Sequence, residues 1–233
     1  MPSLMKRLAV VADMIVPGEP VADIGADHAQ LSIHLIEKQI VPRVIIGEFS
    51  DGPFARACSA VQDSTVKDKI ELRQGNGLQV LKFKEVGTVV LAGMGGDTII
   101  DILAHDWEKA DGFQRFVFQP MSKAGVLRQR LASRGWLIEE ERLVLENGKI
   151  FLVIASSPAN CPYPLTDLEI EIGPLILKDN NKLTRRFIQV YLNKYNHIYA
   201  DLTKSALNRN NQLIQDYRQK VERLEEILGA SKG

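Results

Sequence analysis

Cysteine is nearly absent from the 233 residues: only Cys58 and Cys161 occur, far apart in the chain. Two distant thiols exclude a disulfide scaffold and a cysteine-rich zinc module. The four histidines, His28, His34, His105 and His197, are scattered without metal-ligand spacing, so no metal is expected. No apolar run approaches the roughly 18 residues that a spanning helix needs, so no membrane is expected. Met1 to Val11 carries no long apolar run of the leader type, and the expected setting is soluble and cytoplasmic. Net charge is missing too, with 29 Lys and Arg against 29 Asp and Glu. That excludes a protein basic on every face while allowing a basic patch. No solenoid repeat and no Ser/His/Asp or Cys/His arrangement stands out.

Apolar residues make up 45% of the chain, enough to bury a core. Short, continuous apolar runs predict buried strands at Pro20 to Ile24, Val44 to Ile46, Ile70 to Arg73, Thr88 to Ala92 and Phe116 to Phe118. Helical stretches lie between them, at Ala29 to Gln39, Pro53 to Asp63, Asp97 to His105 and Ala124 to Ser133. This alternation predicts an α/β fold with a parallel sheet and right-handed crossovers. Trp136 to Leu145 and Ile150 to Ala155 flank Asn147-Gly148, a turn pair that supplies positive φ, and so predict an antiparallel hairpin ending the sheet.

Three prolines in Pro158 to Pro164 predict a linker, dividing the chain into domains 1–160 and 161–233. Beyond it the apolar spacing changes. Ile188, Tyr191, Tyr195, Ile198 and Leu202 form one 3-4 seam, and Ile214, Tyr217, Val221, Leu224 and Leu228 another. The break at Asn208 to Asn211 predicts a helical hairpin of coiled-coil type. Residues 178–233 hold 11 basic and six acidic side chains, net +5. Lys182, Arg185 and Arg186, within about one helical turn, are the best phosphate-gripping cluster.

The strand ends carry the chemistry. The first runs into Asp23-Ile24-Gly25-Ala26-Asp27-His28-Ala29. A strand, a glycine turn and a helix form a ligand site, but the second and third glycines of the dinucleotide fingerprint are missing. The carboxylates of Asp23 and Asp27 would repel a pyrophosphate; they suit the ammonium and sulfonium of S-adenosyl-L-methionine. Glu48, at the end of the second strand, lies where an acid accepts ribose hydroxyls. The amide in Gly75-Asn76-Gly77 suits an adenine edge, although Gly-Asn-Gly also serves as an ordinary turn. Gly93-Met94-Gly95-Gly96 ends the fourth strand, and three glycines in four residues suggest close approach of a ligand. Gln119, ending the fifth, is placed to meet a base edge or simply to precede a proline stop.

Taken in order, Lys6-Arg7-Leu8, Asp23 to Ala29, Gly47-Glu48-Phe49-Ser50-Asp51-Gly52-Pro53, Gly75-Asn76-Gly77-Leu78 and Ala92-Gly93-Met94-Gly95-Gly96 make the chain resemble the bacterial tRNA adenine-N1 methyltransferases that act on adenine 22. The resemblance covers nearly the whole chain. It implies a class I, Rossmann-like methyltransferase domain using S-adenosyl-L-methionine, and a coiled-coil-like tail that helps hold tRNA. It implies catalytic roles for Asp27 and Arg7. Asp23, Gly25, Asp27, His28, Glu48, Gly75, Asn76, Gly93, Met94 and Gly95 are expected at the cofactor. Lys6, Gln119, Lys182, Arg185 and Arg186 are expected at the tRNA. The family's usual Ser and Asn are replaced here by Ala26 and Met121, and Asn76 stands where the family often has Asp and also has Asn. An alternative is a non-catalytic or altered-specificity RNA-binding protein on the same fold. The seams allow a monomer or a homodimer.

Overall fold

The computed structural model describes residues 4–204 and 211–229. Five strands, β1 (Val21–Ile24), β2 (Val44–Glu48), β3 (Ile70–Gln74), β4 (Thr88–Met94) and β5 (Arg115–Pro120), are all parallel. A long hairpin, β6 (Trp136–Glu146) and β7 (Lys149–Pro158), completes a seven-stranded sheet in the order β3-β2-β1-β4-β5-β7-β6. β7 pairs antiparallel with both β5 and β6. The turn residues Asn147 and Gly148 take φ of 49° and 77°, as their sequence requires.

Helices α1 (Lys6–Asp13), α2 (Gln30–Glu37), α3 (Asp51–Gln62), α4 (Gly96–Ala104), α5 (Trp107–Ala110) and α6 (Ala124–Ser133) flank the strands. Every residue of β1 is buried, Asp23 among them, so the strand has no solvent-facing side and its other residues are apolar without alternation. Val11, Met14, Leu35, Val44, Ile46, Val61 and Val90 belong to one buried cluster beneath α1, α2 and α3. α6 is fastened to β6 by an ion pair between Arg128 Nε and Glu141 Oε1 at 2.6 Å, with side chains 1% and 0% exposed.

The chain divides into two compact units at Pro164/Leu165, not at Asn160. The proline-rich stretch is not a free linker. Ala159 and Cys161 donate their N–H groups to the Gly135 carbonyl, Tyr163 N–H to that of Ala132, and the Tyr163 hydroxyl to that of Trp136. These bonds hold residues 159–163 to the first unit.

In the second unit, α7 (Asp167–Glu171) begins with a capping box between Thr166 and Glu169. It is followed by α8 (Lys182–Lys204) and α9 (Asn211–Gly229). α8 and α9 run antiparallel: Arg185, near the start of α8, donates to the Leu228 carbonyl at the end of α9, and the Tyr195 and Tyr217 rings meet midway. Ile188, Leu192 and Tyr195 are the buried apolar side chains of α8, and Val221 and Leu224 of α9. Asn208, Arg209 and Asn210 of the expected break lie outside the described residues. Glu171 of α7 accepts from the Tyr195 hydroxyl at 2.7 Å and from Lys220 Nζ at 2.9 Å, joining all three helices.

Candidate active site

β1 has β2 on one side and β4 on the other, so the sheet changes winding direction there. Ligands of open α/β sheets bind outside the carboxyl edge at such a point. A cavity of about 280 Å³ opens at this edge. It is lined by Asp23, by Gly25 to Leu31, by Ala92 and Gly93 of β4, by Gln119 of β5, and by Met5, Arg7 and Leu8. Seven of the residues expected from sequence therefore meet in one place: Arg7, Asp23, Gly25, Asp27, His28, Gly93 and Gln119.

Asp23 is 5% exposed, and its Oδ2 accepts from Ser32 Oγ at 2.7 Å. Burial pushes its pKa up to about 6; the Ser32 bond opposes that rise, and the nearby Glu48 charge adds to it. A carboxylate so poorly solvated favours a cationic partner. Asp27 differs. Arg56 of α3 donates from Nε to Asp27 Oδ1 at 2.6 Å, and His28 Nε2 lies 3.4 Å from Oδ2. The hydrogen bond to Arg56 holds the Asp27 pKa below its ordinary value. The group is therefore a fixed negative charge at neutral pH and a poor proton acceptor.

Gly25 and Gly93 both have φ near +80°, a conformation that costs other residues. A Cβ on Gly93 would enter open space within the cavity lining, so the backbone there is bare to an incoming ligand. The other glycines of this run do different work. A Cβ on Gly96 would come 2.5 Å from the Lys123 carbonyl oxygen, so that glycine serves packing against the loop after β5. Met94 and Gly95 are not in the cavity wall. The Met94 methyl instead lies over Gly25, and its carbonyl accepts from the Met121 N–H at 2.9 Å.

Glu48 stands at the end of β2, its Oε1 accepting from the Phe49 N–H at 2.9 Å. Gly75 donates to the Glu48 carbonyl, which keeps the ends of β2 and β3 together. Asn76 opens a 3-10 turn and lines a second cavity of about 180 Å³ with Gln79, Thr98, Asp101 and His105. Glu48, Gly75 and Asn76 thus share the sheet edge but not the first cavity.

Arg7 is held by Glu146 of β6, with Nη1 to Oε2 at 3.1 Å, and its guanidinium carbon lies 5.1 Å from the Phe151 ring centre. Lys6 beside it is exposed. In the second unit, Lys182 and Arg186 are exposed, with no ion pair among the described residues. Arg185 is partly buried, bonded to the Leu228 carbonyl at 2.7 Å and to Asn180 at 3.1 Å, so its guanidinium fastens the helices. Lys220 and Arg223 are likewise paired, with Glu171 and Glu226.

Arg56 and Glu146 were not legible as site residues, because each reaches the site only through a tertiary ion pair. Ala29 was not legible either. It is buried in the cavity wall at φ 50°, a left-handed conformation unusual for alanine and costing about 1 kcal/mol.

Residues 21–226 match the family model described as tRNA (adenine(22)-N(1))-methyltransferase. The Bacillus subtilis tRNA (adenine(22)-N(1))-methyltransferase is 30% identical, with 97% of both chains covered. The crystal structure of the B. subtilis m1A22 tRNA methyltransferase superposes with a TM-score of 0.84 at 28% identity, covering 98% of this chain and all of that one. A candidate tRNA (m1A22) methyltransferase from Streptococcus pneumoniae, solved with S-adenosyl-L-methionine, gives a TM-score of 0.81 at 27% identity, covering 97% of this chain and all of that one. The glycine turn flanked by Asp23 and Asp27, the acid ending β2 and the helical tail are thus borne by a chain that belongs to the tRNA (adenine(22)-N(1))-methyltransferase family.

Proposed function

We propose that the protein transfers a methyl group from S-adenosylmethionine to N1 of adenine 22 in tRNA. The observation that carries this reading is the cavity where Asp23, Asp27, Gly93, Arg7 and Gln119 meet at the switch point of the sheet. The residues present fit the cofactor: Asp23 and Asp27 in the cavity for its ammonium and sulfonium, a bare backbone at Gly93, and, outside this cavity on the same sheet edge, an acid at the end of β2. Asp23 and Asp27 would hold the charged end, Glu48 the ribose hydroxyls, Asn76 the adenine edge, and Gly25, His28, Gly75, Met94 and Gly95 would shape the turns. When bound, the cofactor supplies an electrophilic methyl group on a sulfonium.

The chain's task is then positioning and charge. Adenine N1 already carries a lone pair, so no base must deprotonate it before attack. It must be brought out of any base pair and held about 3 to 3.5 Å from the methyl carbon. The lone pair would form the new N–C bond as the sulfur–methyl bond breaks, sulfur would keep that electron pair as a neutral thioether, and the ring would take up the positive charge. Asp27, ionised and fixed by Arg56, stabilises that charge. Arg7 supplies N–H donors to the target nucleotide while its own charge is offset by Glu146. Lys6, Lys182 and Arg186 supply phosphate contacts, and the cytoplasm, where tRNA resides, is the place of action.

The test is methyl transfer from labelled cofactor to unmodified bacterial tRNA, followed by digestion and mapping. 1-Methyladenosine at position 22 is the expected product. Intact cofactor binding without transfer to any tRNA would overturn this reading in favour of a binding role.

A further inference from the structure

Gln119 is fully buried near the end of β5 and lines the same cavity as Arg7, Asp27 and Gly93. Its amide is only half satisfied. Nε2 donates to the Pro120 carbonyl at 3.3 Å and approaches Met121 Sδ at 3.5 Å. A carbonyl oxygen can only accept, so the amide nitrogen belongs on that side and the oxygen on the other. Oε1 then has no partner, and it is the single buried side-chain nitrogen or oxygen without one among the described residues. Buried acceptors are almost always paired, and an orphan in a cavity wall calls for a donor from outside the chain.

The order of strands says which ligand brings that donor. Along the sheet edge Glu48 stands on β2, Asp23 on β1, Gly93 on β4 and Gln119 on β5. With the cofactor held by Glu48, Asp23 and Asp27, Gln119, two strands further along the edge than Asp23, would be left to meet the methyl acceptor. Adenine presents a lone pair at N1 and, next to it, the N6 amino group as donor. Guanine and hypoxanthine present N–H at N1 and an acceptor at O6, which would face Oε1 acceptor to acceptor.

We propose that Gln119 is the specificity-determining residue of this enzyme, its Oε1 accepting a hydrogen bond from the N6 amino group of the target adenine and thereby setting N1 toward the methyl donor. The proposal rests on the methyltransferase reading above. Met121 contributes by occupying the nitrogen side of the amide with a weak acceptor, which leaves Oε1 the unpaired end.

The test compares two tRNAs, one with adenosine at position 22 and one with purine riboside, which keeps the N1 lone pair and lacks the amino group. Each is offered to the wild-type protein, to Gln119→Met, which has no acceptor oxygen, and to Gln119→Glu, which keeps one. Both kcat/KM and equilibrium tRNA affinity are read, with cofactor affinity and thermal melting as checks on folding. Any difference in N1 nucleophilicity between the bases is common to all three proteins and cancels between them. The wild type should prefer adenosine by roughly 10- to 100-fold, the value of a buried hydrogen bond whose loss strands its partner. Gln119→Met should lose that preference, and Gln119→Glu should retain it. A folded Gln119→Met that keeps the full preference overturns the proposal, as does a wild type that treats the two tRNAs alike, a result independent of any variant. Absence of transfer to adenosine-22 by the wild type overturns the methyltransferase reading and this proposal with it, and so differs from a failure of Gln119 alone.

Discussion

Two aspartates four residues apart have opposite environments, and they predict different experiments. Asp27 is ionised and clamped by Arg56. Asp27→Ala should lower kcat by about 100-fold, the scale of removing one charge-stabilising group, with a much smaller loss of cofactor affinity measured by calorimetry. Equal loss of both would make it a binding residue only. Asp23 is buried, with a pKa near 6 against 3.8 for an ordinary aspartate. Below about pH 4 both folded and unfolded chains hold the proton and the cost is absent. As pH rises from about 4 to 6 the unfolded chain ionises first, and stability falls by about 3 kcal/mol for two pK units. Urea unfolding of the cofactor-free protein should show this loss, and Asp23→Asn should remove it. A cationic ligand relieves the same cost, so cofactor affinity should rise with pH through about 6.

At the scale of elements, β1, β2, β4 and β5 were legible because strands covered on both faces demand largely apolar runs, whereas β3, expected to be buried, is an edge strand that buries only Ile70, and Asn147-Gly148 announced the hairpin by its turn chemistry. α1 was not legible: it opens at Met5 without a side-chain cap. α7 carried a readable capping box, Thr166 with Glu169, hidden behind the prolines. The site was legible where residues sit at strand ends, as Asp23, Gly25 and Gly93 do. It was not where a distant element supplies the partner, as β6 supplies Glu146 to α1. That pair predicts that Glu146→Gln leaves Arg7 an uncompensated cation beside a developing cation. Turnover should drop about tenfold, the scale of a hydrogen bond to a charged group, while KM for the cofactor stays level. A raised KM with unchanged kcat would show that Glu146 acts on binding instead. In α8, Lys182→Ala with Arg186→Ala should weaken tRNA binding and reduce its salt slope by about 2. Arg185→Ala should instead lower the melting temperature, because its guanidinium bonds the end of α9.

For the whole molecule, every residue of the cavity lies before Pro164, and the exposed cations of α8 lie after it. A chain ending at Pro164 should therefore bind the cofactor with near wild-type affinity by calorimetry and bind tRNA more weakly in filter binding. Equal tRNA affinity in the two chains would remove the helical unit from substrate recognition. The strand order has one more consequence. β7, the last strand made, lies between β5 and β6. On the ribosome β5 therefore presents an open edge until residue 158 has emerged, and β6 waits with no neighbour in the sheet. Such an edge invites pairing with another nascent chain. Glu146, the ion-pair partner of Arg7, arrives with β6, so α1 gains that support only when nearly the whole first unit has been made.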